Sequence, residues 1–126
     1  MSIRTARKQN KEKSTALLDV IVNAISDKKG EQIISLDLRK TGDAVADFFI
    51  ICHGTSKVQV MAIADHITEK TKEILGERPW HQEGFENYEW VLLDYIDIVV
   101  HVFIQEKREF YQLEDLWNDA LTTEHF

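Results

Sequence analysis

From Ser14 to Lys29 the apolar residues fall at Leu17, Leu18, Ile21, Ala24 and Ile25, and the pattern stops before Gly30. Positions three and four apart share one face of a helix. The spacing therefore predicts an amphipathic helix with Ser14 as N-cap and a glycine just past its end. The period then changes. Gln32 to Leu38, "QIISLDL", is a short apolar run that reads as a strand, and Arg39 to Asp47, "RKTGDAVAD", supplies loop residues. Phe48 to Gly54, "FFIICHG", is continuously apolar, as a strand buried on both faces is.

Helical spacing returns after Gly54. Thr55 or Ser56 caps a helix carrying Val60, Met61, Ala64, Ile67, Thr71, Ile74 and Leu75, and Gly76 closes it. Pro79 opens an extended piece, "RPWHQEG", of weak period. A hairpin follows, Trp90 to Asp94 and Asp97 to Ile104. The stretch "EKREFYQLEDLWNDAL" reads as one or two short amphipathic helices using Phe110, Leu113, Leu116, Trp117 and Leu121. The order predicts a single α/β domain over 14–126, a mixed sheet of roughly five strands with helices packed on it. Residues 1–13 read as a flexible basic tail.

The hairpin has two unlike faces. With Tyr95 and Ile96 as a two-residue turn, Asp94 lies opposite Asp97, Leu92 opposite Val99 and Trp90 opposite His101. One face holds Val91, Leu93, Ile98, Val100, Val102 and Ile104, wholly aliphatic, which must lie beneath helices. The other carries Trp90, Leu92, Asp94, Asp97, Val99, His101 and Phe103. Two readings of that second face stand. It is a docking surface with aromatic anchors and a charged rim, or a terminal helix covers it and its polar groups are satisfied internally.

Composition narrows the class. The chain has 126 residues, 44% hydrophobic and 29% charged, as a soluble single-domain protein does. No apolar run approaches the ~20 residues of a membrane span, and the N-terminus lacks a signal-peptide pattern. The single cysteine, Cys52, has no internal partner and sits in an apolar strand, which points to a buried thiol in a reducing cytoplasm. Charge is uneven. Arg4, Arg7, Lys8, Lys11 and Lys13 against Glu12 alone give the first fourteen residues about +4, so the total of −7 leaves about −11 for the rest. So acidic a body suits a basic protein surface better than a phosphate backbone, and no sequence-specific nucleic acid is expected.

Candidate chemistry is sparse. Gly54-Thr55-Ser56 joins a strand to a helix, where amides can cradle phosphate, yet it lacks the glycines and lysine of a P-loop and reads as strand exit plus cap. Cys52 and His53 are neighbours on one strand and point to opposite faces. The five histidines show no zinc spacing, so neither metal nor cofactor is expected. Asp94 and Asp97 are the best carboxylate pair. Placed across a tight turn they would hold magnesium or raise one another's pKa, although aspartates also favour hairpin ends for their side-chain turns.

Three separated blocks, "DFFIICHGTSKVQVMAIADHI", "EGFENYEWVLLDYIDIVVHVF" and "REFYQLEDLWNDA", resemble the ribosomal silencing factor family, also called Iojap, over about Ala16 to Ala120. The resemblance implies a nucleotidyltransferase-like mixed sheet without catalysis. It implies binding to the large ribosomal subunit through ribosomal protein fourteen, obstruction of small-subunit joining when nutrients are scarce, and a homodimer off the ribosome. By position it assigns partner contact to Trp90, Leu92, Asp94, Tyr95, Asp97 and His101. Nucleotidyltransferases hold metal with two aspartates one residue apart; here Asp94 and Asp97 are two residues apart. The family turn reads D-Y-G-D where this chain has Asp94-Tyr95-Ile96-Asp97. A positive φ is costly for β-branched isoleucine, so a turn of different type or length is expected. Alternatives to this reading are a metal-dependent nucleotidyl or phosphoryl transferase using Asp94, Asp97 and the Gly54–Ser56 loop, and a homodimeric adaptor for another basic protein.

Overall fold

The computed structural model describes residues 3–41, 46–117 and 119–126. The elements in chain order are α1 (Ile3–Asp27), β1 (Glu31–Asp37), β2 (Phe48–Gly54), α2 (Lys57–Leu75), β3 (His81–Glu83), β4 (Trp90–Asp94), β5 (Ile98–Ile104), α3 (Gln105–Tyr111), a 3-10 turn (Leu113–Trp117) and β6 (Leu121–His125). One mixed sheet of six strands runs β3-β4-β5-β2-β1-β6. β2 and β5 pair in parallel from Phe48↔Ile98 to Gly54↔Ile104, and the other neighbours are antiparallel. The α/β class is as expected, with one strand more than the apolar pattern predicts. The predicted loop at 39–47 falls, at 42–45, outside the described residues.

A parallel pair cannot be joined by a tight turn. The chain leaves β2, runs back through α2, adds β3 and β4 at one edge, and only then returns as β5 between β4 and β2. α1 and α2 pack together on one face of the sheet. There Ile21, Ile25, Ile63 and Ile67 close without solvent access over Ile50, Cys52, Val91, Leu93, Ile98, Val100 and Val102. Burying each such aliphatic side chain contributes roughly 1.5–3 kcal/mol.

The caps of α2 form as the sequence predicts. Ser56 Oγ accepts from the Gln59 amide at 3.1 Å. Gly76 takes φ 66, its N–H donating to Lys72 and that of Glu77 to Thr71, which satisfies the last carbonyls of the helix. Gln59 also ties the two helices together. Its carbonyl accepts from the Thr55 amide at 2.7 Å, and its amide donates to the carbonyls of Lys28 and Lys29 at the end of α1.

Three expectations are corrected. α1 is helical from Ile3, so Ser14 lies inside the helix and caps nothing. The basic side chains at 4, 7, 8 and 11 lie outside the described residues. The C-terminal stretch forms two short helical pieces, as expected, but not all of its expected apolar residues are buried, and Leu121 belongs to a strand. Gln112, at φ 46, ends α3 after seven residues, and Phe110, Leu116 and Leu121 are left exposed. Leu121–His125 then pairs with β1 from Ile33↔His125 to Asp37↔Leu121 as an edge strand, and Ser35 Oγ lies 2.9 Å from His125 Nε2.

The hairpin register is two residues from the predicted one. Trp90 pairs with Phe103, Leu92 with His101 and Asp94 with Val99. Tyr95 joins the ladder through its N–H to the Ile98 carbonyl at 2.8 Å, and the turn is Ile96-Asp97. Ile96 adopts φ 75, so the turn keeps the positive φ despite the β-branched residue. A slip of one residue would have exchanged the faces; a slip of two preserves them.

Candidate functional site

The sheet face away from α1 and α2 holds a second apolar cluster. Leu36, Leu38, Phe49, Ile51, Val99 and Phe103 are buried there, with Trp90, Leu92, Leu113, Trp117 and Ala120 packed at its margin. The second reading of this face, cover by the C-terminal segment, is thus realised in part. The 3-10 turn covers the β1–β2 side, where Trp117 meets Phe49 edge-on at 5.7 Å. Toward β4 the cover is thinner, and Trp90, Leu92 and Asp94 remain half-exposed.

Trp90 is held on three sides. Its ring stacks on Phe103 at 4.8 Å and 27°, Tyr111 lies against it at 5.0 Å, and its Nε1–H donates to His101 Nδ1 at 3.1 Å. Gly84, at φ 90, approaches the Trp90 carbonyl so closely that a β-carbon there would collide with the backbone, so this turn also sets where β4 begins. His101 is 4% exposed and meets Phe49 at 4.8 Å. Because its Nδ1 accepts from Trp90, the ring proton sits on Nε2, which is buried without a partner among the described residues. Burial pushes the His101 pKa down to about 4.

The six expected contact residues divide. Trp90, Leu92 and Asp94 share the open face, and Asp97 is exposed at the turn. His101 lies beneath them as a support. Tyr95 does not join them. Once it enters the ladder it points to the helix side, 7% exposed, its hydroxyl 2.8 Å from Thr71 Oγ1 and its pKa pushed up to about 12 by burial.

One polar node escaped the sequence reading. Arg108 on α3 is buried; its Nη1 donates to the Gln32 carbonyl at 2.7 Å and to His53 Nδ1 at 3.0 Å, and its Nε to Glu114 at 3.3 Å. His53 Nε2 lies 3.2 Å from Glu31. Burial, then the nearby guanidinium, hold the His53 pKa below its ordinary value. This node pins α3 to the irregular start of β1, and nothing in the spacing of one charged residue on a short helix announces it.

The arrangement offers little to a phosphate or a metal. The Thr55 and Gln59 amides are already taken by Gln59 and Ser56 side chains. Asp94 Oδ1 accepts from the Ile96 amide at 2.7 Å, and it lies opposite Val99 rather than Asp97. Among the described residues no group of three potential ligands gathers. Burial raises the Cys52 thiol to about 12, far from a thiolate. No described helix is long and apolar enough to cross a membrane.

His101 makes stability depend on pH. Its folded pKa of about 4 lies below the ordinary 6.5. Its contribution is thus full above pH 6.5 and drains away as pH falls toward 4, because the unfolded chain takes up a proton that the folded chain refuses. Chemical denaturation at pH 7 and pH 4 is expected to show a loss of about 3 kcal/mol from this residue. His101→Gln should flatten that part of the profile; an unchanged profile contradicts the assignment.

Comparison with known proteins places the chain in a family. A family model described as "ribosomal silencing factor during starvation" matches residues 11–125. The chain is 47% identical over 108 residues to the ribosomal silencing factor of Halalkalibacterium halodurans, covering 86% of this chain and 91% of that one. It is 44% identical over 105 residues to that of Bacillus subtilis, covering 83% and 87%. A crystal structure of a protein from Chromobacterium violaceum superposes with a TM-score of 0.77 at 37% identity, covering 82% of this chain and 84% of that one. Both the sequence and the fold lead to one conclusion: this chain belongs to the ribosomal silencing factor family, whose members are not enzymes.

Proposed function

We propose that this protein docks on the large ribosomal subunit, chiefly on its ribosomal protein fourteen, blocks joining of the small subunit and represses translation when nutrients are limiting. The observation that carries this reading is the half-open ridge of Trp90, Leu92 and Asp94, rimmed by exposed Asp97. Trp90 is already immobilised by Phe103, Tyr111 and His101, so presenting it to a partner costs little further side-chain entropy. Preorganised aromatic anchors of this kind dominate interface energetics. The aspartates and the acidic body favour a basic partner surface and steer its approach. Tyr95 and His101 act behind the ridge, holding it in place. The action is steric, and it requires no cofactor.

Free in solution, the protein forms a homodimer in this reading, for which exposed Phe110 and Leu116 supply apolar surface. Sedimentation equilibrium is expected to give twice the 14.7 kDa chain mass; a monomer at micromolar concentration contradicts it.

The direct test is co-sedimentation with purified bacterial large subunits. Trp90→Ala is expected to weaken binding by about 30-fold or more, the loss typical of a central aromatic anchor of ~2 kcal/mol. Circular dichroism confirms that the variant is folded. Unchanged affinity removes the ridge from the interface, and no binding by the wild type removes the function.

A further inference from the structure

Ile96 occupies the tip of the β4–β5 hairpin at φ 75 with 60% of its surface exposed. That is unfavourable twice over. A β-branched side chain is poorly accommodated at positive φ, and a large apolar one gains nothing from water. Glycine would relieve both, yet the rest of the turn is built to hold this conformation. Asp94 Oδ1 accepts the Ile96 amide at 2.7 Å, the Asp97 amide donates to the Tyr95 carbonyl at 3.0 Å, and the Asp97 carbonyl accepts the amides of Asp47 and Phe48 at 2.8 and 3.1 Å. The tip is therefore fixed to β2 and β4 with the isoleucine held outward.

Its surroundings indicate what it meets. Trp80, 76% exposed, precedes the edge strand β3, its amide donating to the Asp94 carbonyl at 2.8 Å; one place before the His81↔Asp94 pair, it lies on the Tyr95 side of the ladder. Around the tip stand the carboxylates of Asp94, Asp97 and Asp47. Burial, then the charge of Asp97, raise the Asp47 pKa above its ordinary value, a sign that negative charge crowds at this end. Two cations also stand here, Arg39, which pairs with Asp37 at 2.7 Å and acts on Asp47, and Lys13, which pairs with Glu77 at 3.0 Å and acts on Asp97, so carboxylates remain in excess. An apolar point set in a negative field matches a basic protein surface that offers an apolar hollow.

We infer that Ile96 is a second anchor that enters an apolar hollow on a basic ribosomal protein of the large subunit. This rests on the proposed ribosome-docking function, and it extends the contact from the Trp90 ridge to the end of the hairpin. The strain at Ile96 belongs to the free protein as much as to the complex, so folding and binding should respond to its removal in opposite directions.

The test compares wild type, Ile96→Gly, Ile96→Asn, Asp97→Asn and Trp90→Ala in thermal unfolding and in co-sedimentation with bacterial large subunits over a range of salt. Ile96→Gly is expected to keep or raise the melting temperature while weakening binding about fivefold or more. Ile96→Asn, which tolerates the left-handed conformation but is polar, should weaken binding equally. Asp97→Asn should weaken binding at low salt and flatten its salt dependence. Full affinity in both Ile96 variants, with Trp90→Ala defective, overturns the second anchor and leaves the docking function standing. A wild type that fails to bind overturns both.

Discussion

The parallel pairing of β2 with β5 is the constraint from which the rest of the architecture follows. Seven residues of each strand run side by side, and such strands need a long connection between them. α2, β3 and β4 form that connection, and with α1 they place all the long helices on one face of the sheet. The other face is left to whatever follows β5. After Ile104 come a seven-residue helix, a 3-10 turn and an edge strand. These shelter Phe49, Ile51 and Phe103 and leave Trp90, Leu92 and Asp94 partly buried.

The open ridge is therefore a consequence of topology, and its rigidity is a consequence of local packing. Trp90 is clamped by Phe103 and Tyr111 and hydrogen-bonded to a neutral, buried histidine. Burial keeps that histidine uncharged at neutral pH, which lets Nδ1 accept the indole proton. No nucleophile, metal cluster or free phosphate cradle accompanies the ridge among the described residues. A rigid aromatic edge with carboxylates at its rim suits the recognition proposed for it, in a chain that belongs to the ribosomal silencing factor family.

Much of this was legible in the sequence because side-chain alternation in a strand has a period of two. Val91, Leu93, Val100 and Val102 could share a face only if Trp90, Leu92, His101 and Phe103 shared the other, and a two-residue error in register left that division intact. What failed was the turn. Ile96 is an improbable residue at positive φ, so the sequence points to a turn one step too early, and Tyr95 reads as a turn residue where it belongs to the strand. The C-terminus was legible in part. Two short helical pieces form where helical spacing places them, parted by left-handed Gln112, but Leu121 belongs to an edge strand. β6 holds to the sheet by backbone pairing, with almost no apolar signal in "LTTEH". Arg108 was unreadable because its partners are main-chain carbonyls and a histidine far away along the chain.

In the proposed docking the β4–β5 hairpin end and ridge, and not the helical face, meet the ribosome. Hydrogen–deuterium exchange of the chain alone and bound to large ribosomal subunits tests it directly. New protection is expected in the segment from Trp80 to Asp97, with α1 and α2 exchanging as they do in the free protein. Protection confined to α1 and α2, with the hairpin unchanged, would contradict it.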